Sequence, residues 1–285
     1  MDLTVVACGS VDDGKSTLIG RLLHDAGRLS DDERESLRVA SARHGTRGGG
    51  VDYALLLDGL EAEREQGITI DVAWRHLETP GRRILIADCP GHAQYTRNMA
   101  TGASVADAAV LLVDGTRGLQ PQTFRHAAIM AVLGVPEVVL AVNKLDLLDD
   151  PAQAFEAATG RFLEHARRLG LGQVRAVPVS AVDGDNVLVR SRRWPWYAGP
   201  SLLELLQSMP SREEAGPGPR LPVQAVQRDP EGGRWLAGTV HGAGLEVGME
   251  IEALPSGGKS RVNALLVAGG KRQSAPAGAA VAVRL

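Results

Sequence analysis

A chain of 285 residues that is 44% hydrophobic can bury a substantial core, and its length suggests about two domains. Lys plus Arg (31) nearly balance Asp plus Glu (34), so the net charge of −3 gives no sign of a polyanion-binding surface. Two cysteines, Cys8 and Cys89, and seven histidines without H-E-x-x-H or paired Cys/His spacing speak against a disulfide framework or a structural zinc.

Met1 leads directly into a short apolar run, Thr4 to Cys8, with no basic-then-apolar leader before it. No run approaches the roughly 18 apolar residues of a spanning helix. The expectation is a reduced, cytoplasmic chain without membrane contact, whose two cysteines are small core residues at strand ends. Thr4 to Cys8 reads as a buried parallel strand, and Thr17 to Leu29 carries leucines at helical spacing. Between them, Gly9-Ser10-Val11-Asp12-Asp13-Gly14-Lys15-Ser16 fits G-x-x-x-x-G-K-[ST], a loop whose backbone N–H groups converge on phosphates at a helix N-terminus. In that pattern Lys15 reaches the β- and γ-phosphates and Ser16 ligates Mg²⁺; Thr17 closes the binding set.

Ser30 to Gly50 is polar and ends in Arg47-Gly48-Gly49-Gly50. It reads as a long loop that begins a nucleotide-sensitive segment, ordered only in some states. Asp58 to Gln66 is charged and helix-prone. Ile70 to Leu77 and Arg83 to Asp88 are β-type runs joined by Glu78-Thr79-Pro80-Gly81-Arg82, a hairpin signal. From Ala108 apolar strands alternate with amphipathic helices: strands Ala109 to Asp114, Val138 to Asn143 and Val174 to Ser180, helices Gln122 to Leu133, Pro151 to Leu169 and Ser201 to Met209. That alternation predicts an α/β fold with an open, mostly parallel sheet and ligands at the carboxyl ends of its strands. Pro210 to Pro222 lacks periodicity and reads as a linker. Beyond it Pro222 to Gln227, Trp235 to His241, Met249 to Leu254 and Ala279 to Leu285, separated by glycine turns, predict a small β-barrel. The expected domains are residues 1–209, a linker at 210–219, and the barrel at 220–285.

The chemistry-bearing residues fall at predicted strand ends. Asp88-Cys89-Pro90-Gly91 fits D-x-x-G, in which Asp88 orders Mg²⁺ and the Gly91 amide senses a γ-phosphate. Asn143-Lys144-Leu145-Asp146 fits N-K-x-D, where Asp146 takes the N1–H and N2–H₂ donors of guanine; adenine offers no such pair. Lys144 is expected along the base, Asn143 between the two loops, and Ser180-Ala181 beside the guanine oxygen. Thr69, next to Gly67, is the expected second Mg²⁺ ligand from the chain. His92 follows Gly91 directly, in position to orient the water that attacks a γ-phosphate. Together these make GTP or GDP with Mg²⁺ the expected ligands.

These motifs carry a resemblance. Residues 2–209 resemble a translation-factor-type P-loop GTPase and 220–285 the β-barrel that follows it in those proteins. Within that group the chain is similar to the GTPase subunits of bacterial sulfate adenylyltransferases. The stretches concerned are Gly9 to Leu23, Leu57 to Asp71, Pro90 to Ser104, Gly184-Asp185-Asn186-Val187 and Trp194 to Pro200. An elongation factor typically has His where Asp13 stands, Thr for Ser16, and Asp-Tyr for Gln94-Tyr95. The resemblance implies GTP hydrolysis coupled to adenosine 5′-phosphosulfate synthesis on a separate small catalytic subunit, with no nucleic acid bound. It further implies that Val11 and Ile68 form an apolar gate before His92; the family usually continues into a second barrel where this sequence ends at Leu285. Two alternatives stay open: an elongation-factor-type GTPase that carries aminoacyl-tRNA, and a non-hydrolysing scaffold.

Ser256-Gly257-Gly258-Lys259-Ser260 looks like an adenylylating loop, but Ala253 stands where a phosphate loop needs its first glycine, so a hairpin turn is expected. Arg190, Arg192 and Arg193 beside Trp194 read as a solvated basic loop, with Trp194 and Trp196 as local packing.

Overall fold

The structure, a computed structural model, describes residues 2–27, 29–44, 51–56, 71–211, 218–229 and 233–285. The chain divides into two compact units, Met1–Arg212 and Glu213–Leu285.

The first unit is built on a six-stranded sheet of β1 (Leu3–Gly9), β2 (Ala73–Thr79), β3 (Arg82–Asp88), β4 (Ala108–Asp114), β5 (Glu137–Asn143) and β6 (Gln173–Pro178). Its spatial order is β2-β3-β1-β4-β5-β6. Only β2 runs antiparallel, joined to β3 by a turn at Pro80-Gly81 that is tighter than the pattern implied. From β1 the chain builds outward first through β3 and then, on the other side, through β4. The order therefore reverses at the carboxyl end of β1, where open α/β sheets bind their ligands.

Alternate residues of each strand feed opposite faces. Val5, Ala7, Val139, Ala141 and Val177 pack with Leu18, Ile19 and Leu22 of α1 (Lys15–Asp25) and with Leu202, Leu205 and Leu206 on one side. Val6, Cys8, Leu111, Val113, Leu140 and Val142 pack with Met130 and Phe162 on the other. Both cysteines are buried and unbridged.

The reading of Ser30 to Gly50 as a loop is corrected in part: Asp31–His44 is a helix, α2. The Ser30 hydroxyl accepts the Glu33 N–H and the Glu33 carboxylate accepts the Ser30 N–H, a capping box, and Asp31, Asp32 and Glu33 oppose the positive end of the helix dipole. Local capping outweighs the lack of an apolar face, since Leu37 is the buried hydrophobe of this helix. The first helix also begins and ends earlier than expected, at Lys15 and Asp25. Among the described residues the remaining α-helices are α3 (Thr96–Ser104), α4 (Pro121–Val132), α5 (Pro151–Leu169) and α6 (Leu202–Ser208). The expectations for Asp58 to Gln66, Ile68 and Thr69 lie outside the described residues. No helix among the described residues is long and apolar enough to cross a membrane.

The second unit is antiparallel and barrel-like. A five-stranded sheet runs Gly270–Arg272, Ala264–Val267, Ala280–Arg284, Arg234–Thr239, Ala225–Arg228 in spatial order, with two two-stranded sheets beside it. Val240, Leu245, Val262, Leu265, Val281 and Val283 form its core. The stretch at 256–260 belongs to a hairpin: Glu250–Ala253 pairs with Gly258–Arg261, as expected of a turn without phosphate-loop geometry.

His126 on α4 gives the first unit a pH dependence. It is fully buried, its Nε2 lies 3.0 Å from Gln122 Nε2, and burial, with Lys15 and Arg125 adding to it, pushes its pKa down to about 4. The unfolded chain takes this proton near the usual histidine value and the folded chain only near 4. The neutral ring's contribution is thus fully present above the unfolded value and is lost as pH falls toward 4, about 3 kcal/mol in all. Urea unfolding of the native protein against His126→Gln across that range should show a steeper acid loss in the native protein.

Candidate nucleotide site

The loop that leaves β1 folds around Asp13. Its carboxylate accepts the Ser10 N–H at 2.6 Å, and burial raises its pKa while the Ser10 amide and Lys15 pull against that rise. Lys15 Nζ, also buried, donates to the carbonyls of Gly9 at 3.2 Å and Ser10 at 2.7 Å. Gly14 stands at the helix N-cap with φ 95 and offers no side-chain cap, so the first N–H groups of α1 remain for an anion. Gly91 comes in over this loop so closely that a Cβ there would lie 2.5 Å from Lys15 Nζ and 2.8 Å from the Ser10 carbonyl carbon. Val11, Asp12 and Thr17 complete the loop and the first turn of α1, with Asp12 exposed and at φ 66.

Ser16 Oγ donates to Asp88 Oδ2 at 3.3 Å, which joins the end of β3 to the start of α1. These two hard oxygen donors, 72 positions apart in sequence, suit Mg²⁺. His92 is half-buried; its Nδ1 accepts the Gln94 N–H at 3.3 Å and its ring lies 6.1 Å from that of Tyr95. Thr69 and Ile68 lie outside the described residues.

At the end of β5, Asn143 is buried and tied to two loops: its Nδ2 donates to the Asp13 carbonyl at 2.8 Å and its Oδ1 accepts the Ala181 N–H at 2.9 Å. The Ala181 amide, read from sequence as facing the guanine oxygen, is thus engaged by Asn143 here. Asn143→Ala strands both buried partners and should cost about 2–4 kcal/mol of stability. A urea midpoint unchanged by the substitution would show that the two loops are held by other contacts. Asp146 Oδ1 is buried and has no hydrogen-bond partner among the described residues, the condition expected of a carboxylate that awaits paired N–H donors.

Asp114, the end of a predicted strand, is given no role in the sequence reading. It ends β4 in register with Asn143, and its carboxylate accepts Lys144 Nζ at 2.8 Å and Thr116 Oγ1 at 2.6 Å. Burial alone would raise its pKa, but these hydrogen bonds hold it below the usual carboxylate value. The signal for it was an acidic residue closing an otherwise apolar buried strand. The 183–193 loop is likewise more ordered than a solvated basic loop: Arg193 Nη1 pairs with Asp183 at 2.6 Å and Asp185 at 3.2 Å, and Nη2 reaches the Asp146 carbonyl at 3.5 Å. Trp194 is buried and stacks at 6.1 Å with the more exposed Trp196, as local packing requires.

Comparison with known proteins agrees with this geometry. The chain is 52% identical over 284 residues to the bifunctional enzyme CysN/CysC of Xylella fastidiosa, covering 99% of this chain and 46% of that protein. It is 50% identical over 285 residues to sulfate adenylyltransferase subunit 1 of Cronobacter sakazakii, covering 99% of this chain and 60% of the other. The chain therefore spans about half the length of the curated relatives it matches. Among solved structures, the GTPase-like domain of S. cerevisiae Ski7 bound to GDP and inorganic phosphate shares the fold, with a TM-score of 0.64 at 18% identity, over 100% of this chain and 70% of that one. The family model for the elongation factor Tu GTP binding domain matches residues 2–212. With the phosphate loop, the Ser16–Asp88 pair and the Asn143 tie in place, the chain belongs to the elongation factor Tu GTP-binding domain family.

Proposed function

We propose that this chain is the GTP-hydrolysing part of a sulfate-activating adenylyltransferase. GTP and water become GDP and phosphate on this chain, and that release drives ATP and sulfate to adenosine 5′-phosphosulfate and pyrophosphate on a small catalytic partner subunit. The observation that carries the reading is the 50–52% identity to sulfate adenylyltransferase subunit 1 and its bifunctional relative, which runs through 99% of the chain. The coupling has a physical reason: a sulfate–phosphate anhydride is unfavourable to form and needs a linked exergonic step. We assign the reaction to the cytoplasm, with residues 1–209 as the GTPase domain, 210–219 as the linker and 220–285 as the barrel.

The proposed roles rest on the motifs and on the geometry around them. Gly9 to Gly14 and the first amides of α1 cradle the phosphates, and Lys15 exchanges its carbonyl partners for β- and γ-phosphate oxygens. Ser16, Asp88 and Thr69 would hold Mg²⁺, which when bound neutralises charge between the phosphates. Gly91 brings its amide against the γ-phosphate because it has no side chain to prevent the approach. His92, passing Val11 and Ile68, orients the attacking water. Asp146 selects guanine, with Lys144, Asn143, Ser180 and Ala181 shaping the base pocket.

The test is to mix the protein with the small adenylyl-transferring subunit and measure adenylyl sulfate formation with and without GTP. Stimulation by GTP is the expected result; normal GTP hydrolysis without stimulation would overturn the proposal.

A further inference from the structure

The α1 helix touches two segments that are distant in sequence. On one side it packs against Tyr53, in a 3₁₀ turn at Tyr53–Leu56. A Cβ on Gly20 would lie 2.1 Å from the Tyr53 carbonyl oxygen, so the backbones meet directly. The Tyr53 ring is held by two side chains of the same helix: His24 sits edge-on at 5.1 Å between centroids, and the Arg21 guanidinium lies 5.1 Å from the ring centre.

The same guanidinium donates from Nη1 to the Val182 carbonyl. Gly184, at φ 85, leaves room for it: a Cβ there would be 2.5 Å from Arg21 Nη2. Nε of Arg21 donates to Asp25, whose second oxygen lies 2.9 Å from His24 Nδ1. Within the 180–184 loop the Gly184 N–H donates to the Ser180 carbonyl at 2.8 Å and the Asp183 N–H to Ser180 Oγ at 3.1 Å. A displacement of Val182 or Gly184 is therefore carried to Ser180 and Ala181.

We propose that Arg21 is a positioning residue that couples the base-facing loop at 180–184 to the 51–56 segment, so that guanine binding and the placement of Tyr53 favour one another. The proposal rests on the guanine-nucleotide reading of the site. Only a planar, multidentate cation meets the demands together: one edge for Val182, one for Asp25, a face for Tyr53. Lysine offers a point charge and loses at least one of the three. Coupling of this kind is reciprocal, so trimming Tyr53 must weaken guanine binding.

The experiment is a double-mutant cycle of Arg21→Gln and Tyr53→Leu, with Arg21→Lys as the milder variant. Affinities are measured by calorimetry for GDP and for inorganic pyrophosphate, which addresses the phosphate loop without a base. Each single variant should weaken GDP roughly tenfold, the double variant should be little worse than either, and pyrophosphate affinity should hold. Arg21→Lys should fall between native and Arg21→Gln. Additive losses for GDP, or equal losses for GDP and pyrophosphate, would overturn the coupling and leave Arg21 as a plain brace of α1. GDP binding by the native protein is the reference, so failure of the nucleotide reading itself is seen separately.

Discussion

Asp146→Asn lowers affinity for GTP and GDP by about 10²–10⁴-fold and raises affinity for the corresponding xanthine nucleotides. In its proposed role the carboxylate pairs with two guanine donors, and each hydrogen bond to a charged group contributes about 1.5–3 kcal/mol. An asparagine amide presents one acceptor and one donor. It keeps N1–H but sets a donor against the guanine N2 amine, whereas xanthine offers N1–H and a C2 oxygen and is matched by it. Asp146 Oδ1, buried and without a hydrogen-bond partner among the described residues, is the structural ground for so large an effect. Competition titrations with both nucleotide classes check it. A variant that loses guanine without gaining xanthine would mean that the loop had collapsed, and Asp146 would no longer be the selecting group.

The second large effect is expected at His92. Its replacement by alanine should slow single-turnover GTP hydrolysis by about 10²–10⁴-fold, the range of a positioned acid–base or water-orienting group. GDP affinity should stay within about twofold, because the residues proposed to hold the phosphates and the base sit on other elements. In the structure His92 is half-buried, and its ring is held by the Gln94 amide and lies against Tyr95 rather than in the core, so its removal opens no cavity. Equal hydrolysis by native and variant protein would remove His92 from the mechanism.

The sheet and its strand ends were legible because buried parallel strands are apolar throughout and stop at polar residues that cannot be buried without purpose. Helix α5 was read to the residue, since Pro151 and Gly170 punctuate it: Asp150 caps its N-terminus and Gly170 adopts φ 63 at its end. Helix α2 was not read, because apolar periodicity was the criterion and this helix is almost wholly exposed. Its signal was local, Ser30 and Glu33 at capping-box spacing. Of the site, Gly9 to Ser16, Asp88 and Asn143 to Asp146 stood out as motifs. Asp114 and Arg21 did not, because each owes its place to a partner from a remote element: Lys144 across the sheet for Asp114, Val182 across 161 positions for Arg21. Spacing along the chain holds no trace of such pairs. The engagement of the Ala181 amide by Asn143 belongs to the same class, a contact set by how β5 and the loop after β6 come together.

The two cysteine thiols of the chain have a practical consequence. Cys8 and Cys89 face the same side of the sheet, both fully buried, and burial pushes the Cys8 thiol up to about 12 and the Cys89 thiol higher still. Thiolate, the reactive form, is therefore scarce at neutral pH, and reagent has no path to it while the sheet is intact. The native cysteines should therefore react slowly with maleimides while the sheet is intact, and their labelling rate should follow the opening of that sheet. A dye attached through one introduced surface cysteine, at the 51–56 segment or on the barrel-like unit, would report from that position alone, with both natural cysteines left in place.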